Sequence, residues 1–167
     1  MSDFGTVRRD GDRGAVRFAR HYQASPEELW AAWTEPDRIA RWLGATVRGG
    51  PVEPGASFRL VWAEGADNQA ELVVRELKRP ELLEWEWTIA GEPPTVLRVD
   101  FVAAGGGTDL VLDHRGLPLG QYAALAAGWH AYLDALGALV GSGLPVYWDE
   151  RFAALLPAYR ERVRAPG

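Results

Sequence analysis

The chain of 167 residues contains no cysteine, a single lysine and no long apolar run. Without cysteine, disulfides, thiolate metal sites and cysteine nucleophiles are all excluded. The N-terminal residues are polar and resemble neither a signal peptide nor a membrane anchor. No segment approaches the roughly 18 consecutive apolar residues that a transmembrane helix needs. We therefore expect a cytoplasmic protein without a membrane span.

A basic surface and the common cofactor motifs are also missing. Acidic residues outnumber basic ones 23 to 18, and the basic residues are dispersed along the chain. Nucleic-acid binding depends on clustered Lys and Arg side chains, so no nucleic-acid partner is expected. The three histidines are scattered, and Gly105-Gly106-Gly107 lacks the ending of a phosphate-binding loop and predicts a hairpin turn. No metal and no cofactor are predicted.

The chain is instead rich in apolar and aromatic side chains. Hydrophobic residues make up 47% of the sequence, and eight residues are tryptophan. A domain of roughly 150 residues buries about 70% of the surface of its unfolded chain. We expect a single domain over residues 1–167 with a substantial core.

Local patterns predict an α+β fold. Two strands precede a helix start at Ser25-Pro26-Glu27-Glu28, where Ser25 is an N-cap, and a second short helix runs from Asp37 to Leu43. Residues of alternating polarity then predict an antiparallel meander with one apolar face. The predicted strands of the meander are 57–62, 69–77, 82–89, 95–103 and 108–114.

Two further helical segments follow the meander. The first runs from Pro118 to about Val140 and contains Gly128 and Gly137. Each costs roughly 1 kcal/mol relative to alanine, and close approach of backbone or ligand is one explanation for them. The second follows a break at residues 141–143, and Pro157 interrupts it. Its aromatic stripe, which includes Trp148, must pack against the sheet, the short helices or a second copy of the chain, so a homodimer stays among the alternatives.

The chain resembles the START-like SRPBCC superfamily, and within it the bacterial activator of Hsp90 ATPase homologues. The stretches that carry the resemblance are FARHYQASPEELWAAWTEPDRIARWLG (18–44), VEPGASFRL (52–60), LLEWEW (82–87), GGGTDLVLDHRGLP (105–118) and AAGWHAYLDALGALV (126–140). The resemblance implies a helix-grip fold, in which a curved antiparallel sheet of about six to seven strands wraps around the long C-terminal helix. It places the common core at residues 14–141 and a C-terminal helical extension at 142–167.

The same resemblance implies a cavity between sheet and helix. Relatives bind lipids, sterols, polyketides and other hydrophobic molecules, and some act as aromatase/cyclases. The eukaryotic namesake stimulates a chaperone ATPase through a two-domain architecture, for which 167 residues leave no room, so a chaperone partner is not expected here. The family has no fixed catalytic residues that could be transferred to this chain.

Eight residues are predicted to bind a ligand in this cavity. Six are aromatic residues on core-facing positions, which form either an aromatic core or the wall of an apolar pocket, and we favour the pocket. His114 and Arg20 are the polar members. The predicted set is Trp62, Trp85, Trp87, Phe101, His114, Trp129, Tyr132 and Arg20.

The polar residues leave more than one interpretation. His114 is either a hydrogen-bonded core histidine or a polar group in the cavity, where it could act as general acid or base. Arg20, on one face with Phe18, needs a carboxylate partner if it is buried and otherwise lies partly exposed at the cavity mouth. His130 and Asp134 are interpreted as an exposed helix pair.

Three functions follow from these residues. The favoured one is a binding protein for a hydrophobic small molecule such as a lipid, a polyketide or an aromatic metabolite. The second is an enzyme of the cyclase or dehydratase type that uses His114 and Arg20 in the same cavity. The third is an interaction protein, either a chaperone partner in a stress response or a homodimer held by the C-terminal segment.

Overall fold

Eight strands and four α-helices make up residues 3–141 and 144–164, which this computed structural model describes. The strands are β1 (Thr6–Asp10), β2 (Arg13–Tyr22), β3 (Thr46–Arg48), β4 (Ser57–Val61), β5 (Gln69–Lys78), β6 (Leu82–Ile89), β7 (Thr95–Ala104) and β8 (Gly107–Pro118). The helices are α1 (Pro26–Thr34), α2 (Pro36–Leu43), α3 (Tyr122–Leu139) and α4 (Trp148–Arg164).

All eight strands belong to one sheet with the order β1-β2-β8-β7-β6-β5-β4-β3. Every neighbouring pair is antiparallel, and the strands from β3 to β8 follow one another as a meander. The first long strand, β2, pairs with the last strand, β8. Strand β3 was not predicted, because its three residues at the sheet edge show no buried position.

The two short helices begin and end as the sequence predicts. The hydroxyl of Ser25 accepts a hydrogen bond of 3.1 Å from the backbone N–H of Glu28 and so caps α1. Pro36 opens α2, and Gly44 ends it with a positive φ of 65°. Both helices bury an apolar face, and Trp33 in the last turns of α1 is completely buried.

Two predictions for the C-terminal third are wrong, the start of the long helix and the interruption of the last one. The long helix begins at Tyr122 rather than at Pro118, because β8 continues past His114 and pairs Pro118 with Arg13. Helix α4 runs without interruption through Pro157. Ser142 and Gly143, part of the predicted break before α4, lie outside the described residues.

The curved sheet packs its apolar face against α3, which confirms the predicted helix-grip fold. Helix α4 packs on α3 in turn, and it buries Leu155 and Tyr159 within the same chain. Burial of this stripe therefore does not require a second copy of the chain. None of the helices within residues 3–141 and 144–164 has both the length and the apolar character needed to cross a membrane.

Candidate functional site

A pocket of about 280 Å³ lies between α3, α4 and one end of the sheet. The sheet side contributes residues from β6 and β8 and the residue that follows β4, namely Trp62, Trp87, Ile89 and His114. Helix α3 and its N-cap residue Gln121 contribute Gln121, Ala124, Leu125, Gly128, Trp129 and Tyr132. Helix α4 contributes Trp148 and Phe152. None of these twelve lining residues is an acidic or basic side chain apart from the imidazole of His114.

The α3 side of the pocket is a single helical stripe. The sequence positions of its members increase alternately by three and by one. This spacing places them on one face of a helix with 3.6 residues per turn. The stripe from Gln121 to Tyr132 extends over roughly 16 Å at 1.5 Å per residue. The small residues Ala124 and Gly128 lie in its middle. The pocket is therefore elongated along α3, and small side chains leave room at its centre.

His114 is held by hydrogen bonds at both ring nitrogens. The indole N–H of Trp129 donates to its Nδ1 over 3.0 Å. Its Nε2 lies 2.7 Å from the hydroxyl oxygen of Thr95, and that hydroxyl donates to the backbone carbonyl of Trp87 over 2.7 Å. Since the Thr95 proton is used on the carbonyl and Nδ1 already accepts, the imidazole carries its proton on Nε2 and donates it to Thr95.

This arrangement keeps the imidazole of His114 neutral. The side chain is buried, and burial lowers its pKa from 6.5 to about 3. Both nitrogens already have partners in the protein, so neither has a free lone pair or proton directed at a ligand. Burial also raises the pKa of the phenol of Tyr132 to about 12, so this wall residue is uncharged as well.

Five of the eight predicted residues lie together in the pocket lining, namely Trp62, Trp87, His114, Trp129 and Tyr132. Trp85 and Phe101 face the core as expected but lie outside the lining. Trp33 of α1 separates this part of the core from the pocket, because its ring lies 5.7 Å from that of Trp85 and 6.0 Å from that of Trp129. Alternation in the sequence assigns Trp85, Trp87 and Phe101 to the same face of the sheet. It carries no information on where α1 packs against that face.

Arg20 also lies outside the lining, in a separate buried polar cluster. Its Nη1 donates to the carboxylate of Asp134 over 2.8 Å, and Arg151 of α4 donates to the other carboxylate oxygen over 2.8 Å. The side chain of Arg20 is only 7% exposed. Asp134 is thus the carboxylate partner that a buried arginine requires, so of the two alternatives for Arg20 the structure has the buried one rather than the cavity mouth.

His130 and Asp134 do lie together, with Nε2 and a carboxylate oxygen 3.7 Å apart, but the prediction that this pair is exposed is wrong. His130 is 1% exposed, and its Nδ1 lies 2.8 Å from the hydroxyl of Tyr159 in α4. Tyr159 in turn accepts the backbone N–H of Gly5 over 2.8 Å. Burial, followed by the charge of Arg20, lowers the pKa of His130 to about 4. The cluster joins the N-terminal segment, β2, α3 and α4.

The contribution of α4 to the pocket was missed. The spacing of aromatic residues in the C-terminal segment indicates a buried stripe. It does not show which element this stripe packs against. In the structure the rings of Trp148 and Phe152 stack at 4.9 Å with an angle of 12°. The indole N–H of Trp148 donates to the carbonyl of Gly128 over 3.3 Å. A Cβ at Gly128 would lie 3.6 Å from the Trp148 ring, so the two elements are in close contact there.

The described residues contain no group of His, Asp and Glu side chains that could hold a metal ion. The pocket wall offers aromatic surface, neutral hydrogen-bonding groups and no fixed charge. Such a wall can hold an uncharged, largely apolar molecule by desolvation and ring contacts.

Solved structures of other proteins share this fold. CalU16 from Micromonospora echinospora matches with a TM-score of 0.74 and 22% identity, over 96% of this chain and 96% of that one. DynU16, described as a protein in the dynemicin biosynthetic locus, matches with a TM-score of 0.67 and 25% identity, over 83% of this chain and 51% of that one. PFC0360w, described as an HSP90 activator from Plasmodium falciparum, matches with a TM-score of 0.65 and 20% identity, over 76% of this chain and 96% of that one.

A comparison with curated proteins finds no match. A comparison with protein families matches residues 23–141, which include every element from α1 to α3 and most of the pocket lining. The helix-grip architecture and the matched stretch agree with the resemblance seen in the sequence. The chain belongs to the family described as "Activator of Hsp90 ATPase homolog 1-like protein".

Proposed function

We propose that the protein binds an uncharged, largely apolar small molecule, of the lipid, polyketide or aromatic-metabolite type, in the pocket between α3 and the sheet. The observation that carries this proposal is an elongated pocket of about 280 Å³ that is lined mainly by aromatic and aliphatic residues and by no ionised side chain. A charged ligand would lose its hydration in this pocket without gaining a counter-ion. A neutral ring system gains desolvation and ring contacts instead.

The contacts of His114 favour binding over proton transfer. A general acid or base needs a nitrogen directed at the substrate. In His114 one nitrogen accepts from Trp129 and the other donates to Thr95. Its role under this proposal is to fix the positions of Trp87 and Trp129, two of the aromatic walls. The cyclase or dehydratase alternative would have to break these bonds, and Arg20 cannot assist because it is bonded to Asp134 on another face of α3.

One structural relative gives this proposal a chemical context. DynU16 is described by its place in the dynemicin biosynthetic locus, and the match covers 83% of the present chain and 51% of DynU16. The likeness supports a small-molecule ligand for the present chain. Similarity to the Plasmodium HSP90 activator, at 20% identity, is a likeness of fold and adds no separate function.

Binding can be tested with the neutral fluorescent probe N-phenyl-1-naphthylamine. Trp62, Trp87 and Trp129 line the pocket, so a bound naphthalene ring should accept their excitation energy and reduce their emission. We expect saturable binding by the wild-type protein. An excess of a non-fluorescent, neutral aromatic compound should displace the probe.

Gly128→Leu provides the matched test of location. A Cβ at this position would already meet the Trp148 ring at 3.6 Å, so a leucine side chain must occupy pocket space. We expect Gly128→Leu to weaken probe binding at least about tenfold, which corresponds to about 1.4 kcal/mol. Ala123→Leu, half-buried on the same helix and outside the lining, should bind as the wild type does. Absence of saturable binding by the wild type, or equal binding by Gly128→Leu, would refute the proposal.

A further inference from the structure

The pocket opens to solvent beside the start of α3. Its lining residues Gln121 and Ala124 are exposed at this end, whereas Trp129 further along the helix is buried. We call this opening the mouth. A molecule bound in the pocket would therefore have an enclosed inner part and an outer end that stays in contact with water at the mouth.

A smaller cavity of about 20 Å³ adjoins the pocket at the mouth, with room for a group of the size of one water molecule. It extends to the turn between β6 and β7, where Glu92 and Pro93 belong to its lining. The backbone N–H of Glu92 donates to the carbonyl of Ile89 over 3.0 Å within this turn. The two cavities share five lining residues, which are Trp87, Ile89, His114, Gln121 and Leu125.

Glu92 supplies the one ionised side chain in the described lining of these two cavities, since the imidazole of His114 is neutral. The residue is half-buried. It forms no ion pair with any other described residue, in contrast to Glu27, Glu71 and Glu84. Its carboxylate is therefore a negative charge without a counter-ion at the edge of an otherwise uncharged site.

Gln121 adds hydrogen-bonding groups at the same place. It is the N-cap residue of α3, but its side chain makes no capping hydrogen bond. A carboxamide both donates and accepts hydrogen bonds, so it can bond an end group of either charge. Any discrimination between end groups at the mouth must then come from the carboxylate of Glu92.

We propose that the pocket selects an amphiphile whose polar end is an amine, and that Glu92 is the residue that sets this selectivity. The inference rests on the proposed binding function and adds the chemistry of the outer end of the ligand. The apolar body lies in the pocket, where a charge would have no counter-ion. The ammonium group lies at the mouth, where it keeps part of its hydration and meets the carboxylate of Glu92.

The electrostatics of the site favour an ammonium over a carboxylate end group. A carboxylate at the mouth would be repelled by Glu92, and an ammonium would be attracted. The faces of aromatic rings attract cations, and half of the pocket lining is aromatic. The net charge of −5 raises the concentration of cations near the protein. A hydroxyl or amide end gains only a hydrogen bond there.

Displacement of N-phenyl-1-naphthylamine by three naphthalene compounds of similar size tests this selectivity. They are 2-(1-naphthyl)ethylamine, 1-naphthaleneacetamide and 1-naphthaleneacetate, which at about pH 7.5 are a cation, a neutral amide and an anion. We expect the amine to bind the wild type about threefold more tightly than the amide, as suits one partly exposed charge contact. The acetate should bind at least about tenfold more weakly than the amine.

Glu92→Gln tests the role of the carboxylate. The substitution keeps the shape of the side chain and removes its charge, so the preference for the amine over the amide should fall to about onefold. Glu53→Gln removes the same charge at an exposed position outside both cavities and should keep the wild-type preference. Because the ratio of two dissociation constants is compared, a general loss of affinity does not imitate the expected result.

Gln121→Lys tests the location from the opposite direction. A lysine at the mouth places a positive charge beside the end group, so the acetate should now bind more tightly than the amine. Val102→Lys adds the same charge at a 60% exposed position outside both cavities and should leave the order unchanged.

The outcomes separate the two proposals. If the wild type does not bind N-phenyl-1-naphthylamine, the proposed binding function fails. If it binds this probe but the three naphthalene compounds displace it equally or not at all, binding stands and the selectivity is refuted. An amine preference that is the same in Glu92→Gln and in Glu53→Gln also refutes the role of Glu92. Loss of the preference in Glu92→Gln and its reversal in Gln121→Lys support the proposal.

Discussion

The indole N–H of Trp129 donates a hydrogen bond of 3.0 Å to Nδ1 of His114 and thereby joins α3 to β8 through the interior. The bond requires an imidazole whose Nδ1 carries no proton. An imidazolium would also carry a proton on Nδ1, and this N–H would point at the indole N–H of Trp129. Protonation of His114 must therefore break this link between helix and sheet, and acid should weaken the fold at the wall of the pocket.

We expect the free energy of unfolding to fall as the pH is lowered below about 6.5. Burial lowers the pKa of folded His114 from 6.5 to about 3, so between these values the unfolded chain binds a proton that the folded chain does not. The difference in bound protons makes stability rise with pH in this window. Above the window the full stability is present, and below about 3 the loss is complete.

Urea unfolding at a series of pH values between about 7.5 and 4.5 measures this slope. His114→Gln should reduce the slope of unfolding free energy against pH. The slope that remains should include the contribution of His130, whose pKa is lowered by burial to about 4. Equal slopes for His114→Gln and the wild type would show that His114 is not kept neutral by the fold.

Thr95→Val should destabilise the protein by about 1–3 kcal/mol. The substitution keeps the shape of the side chain but removes the hydroxyl that accepts from His114 and donates to the carbonyl of Trp87. A buried imidazole N–H is then left without a partner. Thr88→Val, on the neighbouring strand with a half-buried side chain, serves as the matched control and should cost much less. Urea unfolding compares the two, and similar losses would contradict the hydrogen-bond chain.

The sequence predicts the elements of this fold because each one has a local signal. The cap at Ser25, the alternation in β6 and the spacing in α3 all depend on residues a few positions apart. The short edge strand β3 has no such signal, since none of its three residues is buried. The end of β8 at Pro118 depends on its pairing with Arg13, which is distant in sequence.

The site could be predicted only in part for the same reason. Trp85 and Trp87 point to the same face of β6, and only the position of Trp33 against Trp85 places the first in the solid core and the second at the pocket. Arg20 is separated by 114 positions from its partner Asp134. Periodicity identifies which residues are buried, but it does not identify their partners.

Tyr159→Phe should cost about 1–3 kcal/mol, because the buried N–H of Gly5 and the ring of His130 both lose a partner. The loss should be local to the junction of the N-terminal segment with α4. We therefore also expect faster hydrogen exchange at the amide of Gly5. Tyr147→Phe, at a 78% exposed position, is the control and should leave both stability and exchange unchanged. Unchanged exchange at Gly5 in Tyr159→Phe would contradict the assignment.

Asp134→Asn should be the most destabilising substitution of this set, at about 3–5 kcal/mol. It removes the only carboxylate that the structure places against Arg20 within the described residues, and the side chain of Arg20 is 7% exposed. Asp100→Asn, which breaks the half-buried pair with Arg98, is the control and should cost about 1 kcal/mol or less.

The double variant Arg20→Met/Asp134→Leu distinguishes two causes of destabilisation. One is loss of the attraction between the two ions, and the other is the cost of a buried Arg20 charge without a counter-ion. Replacement of both ions by apolar side chains leaves no buried charge without a partner, so the double variant should be more stable than Asp134→Asn alone. Urea unfolding of the three variants beside the wild type makes the comparison. If Asp134→Asn costs no more than Asp100→Asn, the cluster does not anchor α4 through Arg20 and Arg151. If the double variant is the least stable of the three, the ion pair itself, rather than the avoided stranded charge, stabilises this junction.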